Sequence, residues 1–287
     1  MTKSISGHAK DLGDNFIIRR VLPALEKRSI GPFVFFDHFG PVPIVTGNEL
    51  SVRPHPHIGL ATITFLYSGV VCHRDSINVE MDIRPNETNW MTAGSGIVHS
   101  ERSKFDSKYE IIEGIQTWVA LPKEKETIEP SFQHLSELEI PKLEQDGYIF
   151  RLLGGSFLDL ISPAQVHSPL FYADIEIPSH TNHINWKLSD HEEAGLYIAR
   201  GSVESEGITY GVGSMIVFDQ GTTISFKSNE KSRLMLLGGK PLPEKRHLYW
   251  NFVATNMDSI EKAKERWAKD EFPRVPNETE RIPLPPH

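Results

Sequence analysis

The stretch RPHPHIGLATITFLYSG at residues 53–69 sets His55 and His57 two apart, directly ahead of a β-branched and aromatic run. On a strand, residues i and i+2 share a face, so the two imidazoles converge on one point, which is a metal-ligand spacing. A pair of surface histidines in a Pro-rich loop is the competing reading, and further ligands decide between the two. MTAGSGIVHSERS places His99 and Glu101 at the same spacing after a Gly-rich turn. Two such pairs on facing strands enclose a single point. Three neutral imidazoles and one carboxylate leave a divalent ion with net positive charge and, in octahedral geometry, two open positions for water, dioxygen or a chelating substrate. This donor set is similar to a non-haem iron site with one extra histidine, although Fe, Mn, Co, Ni, Cu and Zn all accept the same donors. Glu101 has a second reading as an outer partner that holds a ligand N–H. It is also the candidate catalytic base, because a carboxylate can loosen from a metal and accept a proton at short range.

The elements that must position these residues are strands. ATITFLYSG, EGIQTWVALP, YIFRLLGG, FYADIEIP, GLYIARGSV, SMIVFDQG and SRLMLLGG are short β-rich runs bounded by Gly, Pro, Asn or Asp, the pattern of sandwiches and barrels. Between Lys123 and Glu139 the composition turns charged and helix-compatible, which reads as a connector between two β domains, residues 1–135 and 136–287. MDSIEKAKERWAKD near the C-terminus predicts a helix with Ile260, Ala263 and Trp267 on one face. The ending FPRVPNETERIPLPPH predicts an extended tail, laid over the body or left without order. A weak internal repeat lays NWMTAGSGIVHSE on IVFDQGTTISFKS, Gly94 on Gly221, which sets Phe226 opposite His99 and Ser228 opposite Glu101. Hence the halves are expected to share one fold, with metal in the first only.

Composition narrows the partners. The chain has 287 residues, one cysteine (Cys72) and a formal charge of −8. A single cysteine can form neither an internal disulfide nor a thiolate zinc site, so any metal is held by His and carboxylate. The negative charge argues against direct nucleic-acid binding. No stretch approaches the apolar length that crosses a bilayer, and the start MTKSISGHAKDLGDN lacks a signal-peptide core. A soluble, cytoplasmic monomer with no membrane contact is expected.

HPHIGLATITFLYSGVVCHRDS followed by RPNETNWMTAGSGIVHSE strongly resembles the pirin family, a branch of the cupin superfamily; GPFVFFDHFGP and EGIQTWVALP are similar as well. The likeness is dense from about Asp11 to Pro122 and looser beyond. It implies an all-β bicupin of two antiparallel jelly rolls in tandem, with iron in the N-terminal one held by His55, His57, His99 and Glu101. The chain departs from many relatives in having Ile58 after the second histidine and a long helix-bearing tail. Some pirin relatives resemble flavonol dioxygenases, which implies an oxygenase that opens quercetin-like flavonols with dioxygen. The alternative implied by the same family is an iron-dependent, redox-sensing regulator that binds a protein partner, a transcription factor or a metabolic enzyme. A cupin that merely retains a metal is the third option.

Other polar residues read as structural. By analogy with the family His38 is expected near the site, as a hydrogen-bonded rim residue behind it rather than a contact of the substrate, and His73, with Arg74 and Asp75, reads as part of an ordinary hairpin. His180 and His183, three apart, would point to opposite faces of a strand. Gln116 and Trp118 share a strand face, Trp118 as core and Gln116 as a residue able to orient a ligand or water.

Overall fold

The structure, a computed structural model, describes residues 3–11, 17–44 and 50–285. Its strands form antiparallel ladders in two compact units. One unit holds Phe39–Ser136 with Pro243–His287, the other Glu137–Leu242 with Ile18–His38 and the N-terminal strands. The units part at Ser136/Glu137, but they are interleaved and not consecutive halves. The C-terminal helix and tail, placed with residues 136–287 from sequence, pack in the unit of Phe39–Ser136, and Lys3–Ser6 pairs with Ser214–Phe218 in the other. Burial explains the exchange, since the apolar face of the helix is covered by residues of that first unit.

Each unit is built on the same pair of sheets. In the first, Ser51–His57, Ile97–Lys104, Val70–Asp75 and Glu80–Ile83 lie side by side, and Ser131–Leu135, Thr88–Thr92, Leu60–Ser68 and Ile111–Ala120 follow one another in a second sheet. The other unit repeats the order with Thr181–Lys187, Thr223–Ser228, Ser202–Ser205 and Ile208–Gly211 in one sheet. Its second sheet runs Lys3–Ser6, Ser214–Phe218, Glu193–Arg200, Ser232–Gly239, Leu170–Ile177 and Tyr148–Phe157. All seven predicted β runs are strands, and the repeat is real: Phe226 pairs with Ile184 where His99 pairs with His55. Gly94 and Gly221 both turn with positive φ, and a side chain at Gly94 would strike the Ile128 carbonyl at 1.9 Å.

Proline explains the placement of the histidine strand. Pro54 and Pro56 lack the N–H that a central strand must donate on both sides, and Ser51–His57 is accordingly the edge of its sheet. The stretch between Lys123 and Glu139 differs from the expected connector. After a single 3-10 turn at Lys123–Lys125 it forms the strand Ser131–Leu135, paired to Thr88–Thr92. An open sheet edge recruits this segment, and the burial of Leu135 secures it, although its own pattern carries no alternation.

The helix Met257–Ala268 is capped by Asn256, whose side chain accepts the Ser259 N–H at 2.8 Å. Its buried face, Ile260, Ala263 and Trp267, packs with Ile58, Val98, Phe252 and Phe272. The tail is laid over the body. Ile282 donates its N–H to the Pro54 carbonyl, and the Trp267 indole donates to the Ile282 carbonyl. Pro286 and His287 lie outside the described residues. Among the described residues no helix is long and apolar enough to cross a membrane.

Trp267 is thus the residue on which helix, tail and sheet all rest. Trp267→Ala should cost about 3–5 kcal/mol in denaturant unfolding followed by fluorescence of the remaining tryptophans. A loss under about 1 kcal/mol would contradict this packing.

Candidate metal centre

Register brings the polar residues together. On Ile97–Lys104, His99 lies opposite His55 on one side and Asp75 on the other, while Glu101 lies opposite His73. Directly opposed residues share a face of the sheet, so the interior face carries His55, His99, Asp75, Glu101 and His73 in one field. A bulge between the pairs His99/His55 and Glu101/Val52 places one extra residue on the edge strand. This turns Arg53 out to solvent while its carbonyl stands 2.9 Å from His55 Nδ1.

The three histidines are buried and close. One nitrogen each of His55, His57 and His99 lies within 4.8 Å of the others, and His57 Nε2 faces His99 Nε2 at 3.1 Å. Their rings stand 4.4–5.0 Å apart between centroids, and Trp118 closes against His57 edge-on at 5.2 Å. Burial pushes the His55 imidazole down to about 4, against the opposing pull of the Arg53 carbonyl. Burial, and then the neighbouring histidines, hold His57 and His99 well below the usual range; for His57 the Asn251 backbone pulls the other way. All three are therefore neutral at pH 7, which is the metal-binding form.

The donor set fits a metal ion. His55 offers Nδ1–H to a carbonyl, which leaves Nε2 with its lone pair. Two bare nitrogens 3.1 Å apart repel unless a proton or a cation lies between them. Nitrogens at about 2.1 Å from one ion and at right angles to each other stand about 3.0 Å apart, and about 3.4 Å in a tetrahedron. Glu101 is brought to the edge of this group. Its carboxylate, with His99 and His73, forms a second set within 4.8 Å that shares His99 with the first. The carboxyl is enclosed, although the residue as a whole is only half-buried, and burial raises its pKa against the opposing pull of its neighbours His73 and Thr64. Thr64 Oγ1 stands 3.1 Å from Glu101 Oε1 and 2.6 Å from Gln116 Oε1.

Two residues read as bystanders belong to this field. His73 Nδ1 is 3.4 Å from His99 Nδ1, His73 Nε2 is 3.1 Å from Asp75 Oδ2, and Phe132 stacks on the His73 ring at 4.6 Å. The H-x-D spacing of His73 and Asp75 is the signal that could have found them, since it repeats the i, i+2 logic of the other pairs. Phe132 carried none. His38 instead is buried in the other unit, with Nδ1 2.9 Å from the Tyr197 hydroxyl. His180 and His183 are exposed, and Cys72 is buried with its thiol pushed up. Where the first unit has histidines the second has an aromatic cluster, with Phe226 against Trp186 at 5.7 Å, and Ser228 donates to the Ser202 carbonyl.

His55→Ala, His57→Ala and His99→Ala should each lose most of the first-row metal found in the wild type by elemental analysis, with unchanged far-UV circular dichroism. Metal content unaffected in all three would refute the group as a metal centre. The metal-free protein should also lose stability on acidification. Histidines whose folded pKa lies below the unfolded value near 6.5 take up protons only on unfolding. Stability therefore falls from about pH 6.5 down to about pH 4 at His55, by about 1.4 kcal/mol per pH unit for each histidine. Glu101, raised by burial, works in the opposite sense but is one group against three. Chemical unfolding of the apoprotein at stepped pH measures the slope, and replacing all three histidines with Asn should flatten it.

The pirin domain description matches residues 15–119, and the description of the pirin C-terminal cupin domain matches residues 172–273. A pirin-like protein of Caulobacter vibrioides is 44% identical over 285 residues, 96% of each chain. The crystal structure of a quercetin 2,3-dioxygenase from Acinetobacter baumannii superposes with a TM-score of 0.93 at 34% identity, over 100% of this chain and 95% of that one. A bacterial pirin from Escherichia coli in complex with nickel(II) shares the fold at 17% identity and a TM-score of 0.66, over 84% of this chain and 100% of that one. Two antiparallel jelly rolls, a buried histidine group in the first and similarity along the whole length together identify the chain as a member of the pirin family of cupins.

Proposed function

We propose that the chain holds one Fe(II) ion on His55, His57, His99 and Glu101 and uses it to open flavonols of the quercetin class with dioxygen. The reading is supported above all by three buried, neutral imidazoles whose free nitrogens converge beside an enclosed carboxyl group. The similar Acinetobacter protein, a quercetin 2,3-dioxygenase, supports the substrate class. A bound ferrous ion supplies a template for the hydroxyl and ketone oxygens of the flavonol and for dioxygen. Both atoms of dioxygen enter the product ester, and the ring carbon that bore the hydroxyl leaves as carbon monoxide.

The task of the protein is to take the proton of that hydroxyl. Glu101 is the candidate base, and its position supports this reading: its enclosed carboxylate belongs to the group of donor atoms within 4.8 Å that includes His99, so it can accept a proton at short range. Thr64 makes the protonated form tolerable. Its hydroxyl has one proton and two acceptors, and it lies nearer Gln116. With that proton given to Gln116 Oε1, the Thr64 oxygen is free to accept one from Glu101. A proton gained by Glu101 therefore meets an acceptor and not a donor. Gln116 acts at this point, one step removed from the substrate.

The test separates ligand from base. Glu101→Gln keeps one coordinating oxygen and removes the basicity, so at equal iron loading quercetin turnover should fall by about two orders of magnitude while metal is weakened modestly. Wild-type rates in the glutamine variant would rule out Glu101 as the base. Iron-loaded wild type that consumes neither quercetin nor dioxygen would overturn the dioxygenase reading and favour the regulatory one.

A further inference from the structure

We infer that Asp75 and His73 form a hydrogen-bonded chain that fixes the tautomer of His99 and so aims its Nε2 lone pair at the metal position. The inference rests on the reading of His99 as a metal ligand. It adds two positioning residues to that centre and gives the order in which their protons must lie.

The chain begins at a carboxylate with no freedom left. Asp75 is fully buried; its Oδ1 accepts the backbone N–H groups of Ile77 and Val79 at 2.9 and 3.0 Å, and its Oδ2 faces His73 Nε2 at 3.1 Å. A carboxylate that already accepts two N–H groups presents an acceptor to the ring, so His73 carries its proton on Nε2. A neutral imidazole protonated there has only a lone pair on Nδ1. That lone pair faces His99 Nδ1 at 3.4 Å, and the proton between them belongs to His99. With Nδ1 protonated, His99 keeps a bare Nε2 on its other side, where His57 Nε2 stands at 3.1 Å. The reverse order would put a proton on His99 Nε2, in the place of a metal.

Packing holds the chain in line. Phe132 stacks on His73 with 25° between the planes, and the register sets Asp75 opposite His99 and His73 opposite Glu101. His73 and His99 are 3% and 0% exposed, so neither ring faces bulk solvent. His55 obtains the same result more simply, from the Arg53 carbonyl. Carboxylate–histidine pairs behind metal ligands commonly alter affinity 10–100-fold; here one additional imidazole lengthens the pair.

Asp75→Asn provides the decisive variant. It keeps an oxygen for Ile77 and Val79 but offers His73 an N–H, which reverses every proton down to His99. Zinc(II), which has no redox chemistry, is the probe, with affinity read by competition against a chelator and ring tautomers read by 15N-edited NMR. The full-length wild type should bind one zinc per chain with His99 protonated at Nδ1. Asp75→Asn and His73→Leu should weaken zinc about 10–100-fold, while His73→Asn, whose side-chain oxygen can replace Nδ1 as acceptor, should keep most of the affinity. Equal affinity in wild type, Asp75→Asn and His73→Leu, or a His99 protonated at Nε2 in the wild type, would overturn the chain of protons and leave the metal reading intact. Two zinc ions per wild-type chain, the second lost in His73→Leu, would overturn it by making His73 a ligand. No zinc on the wild type would overturn both readings. Should Asp75→Asn fail to fold by circular dichroism, the contrast between His73→Asn and His73→Leu decides.

Discussion

Three imidazoles can be buried side by side only while none is charged. A single protonated ring in that enclosure meets both the loss of hydration and the repulsion of its neighbours, which is why burial and the adjacent histidines together depress His57 and His99. The remaining architecture of the first unit follows from this constraint. Each neutral ring still has one N–H to satisfy, and two of the three find a partner on the far side, the Arg53 carbonyl for His55 and the His73 lone pair for His99, whereas the buried Nδ1 of His57 makes no hydrogen bond among the described residues. The inner nitrogens of His55 and His99 are thereby left bare, and the three imidazoles together form a group that could hold a metal ion.

The strand Ile97–Lys104 serves two ends through its alternation. His99 and Glu101 face the interior, whereas Ser100 and Arg102 face outward and both hydrogen-bond Glu278 of the tail, Arg102 through two of its nitrogens at 3.1 and 2.6 Å. Ile282 meanwhile covers Pro54 on the edge strand that carries His55 and His57. The proline-rich tail thus lies against the backs of both strands that bear the histidine group. It protects an edge that its prolines alone would leave open to other strands.

The two units show how little of a jelly roll is dictated by its interior. The order of the four-stranded sheet and the turn at Gly94 and Gly221 are common to both. In one interior the paired positions hold His55 and His99, in the other Ile184 and Phe226. An apolar filling needs no acceptors behind it, and Phe226 packs directly on Trp186. The polar filling requires Arg53, His73 and Asp75 in addition, so a metal-type interior is a larger commitment than the histidines by themselves.

Short-range spacing was enough to set His55 with His57, and His99 with Glu101, on shared faces, because a strand's period of two converts i, i+2 into a shared face before anything is known of its neighbours. The same local logic yielded the strands, the helix with its Ile260, Ala263 and Trp267 face, and the shared framework of the halves. What required the tertiary structure was every relation set by pairing between distant segments. Ser131–Leu135 became a strand because an edge awaited it, the helix joined the unit whose surface fitted its apolar face, and His38 turned out to be paired with Tyr197. His73 and Asp75 carried the right spacing, but their part depends on lying beside His99, and register between strands is decided by long-range packing that no local pattern encodes.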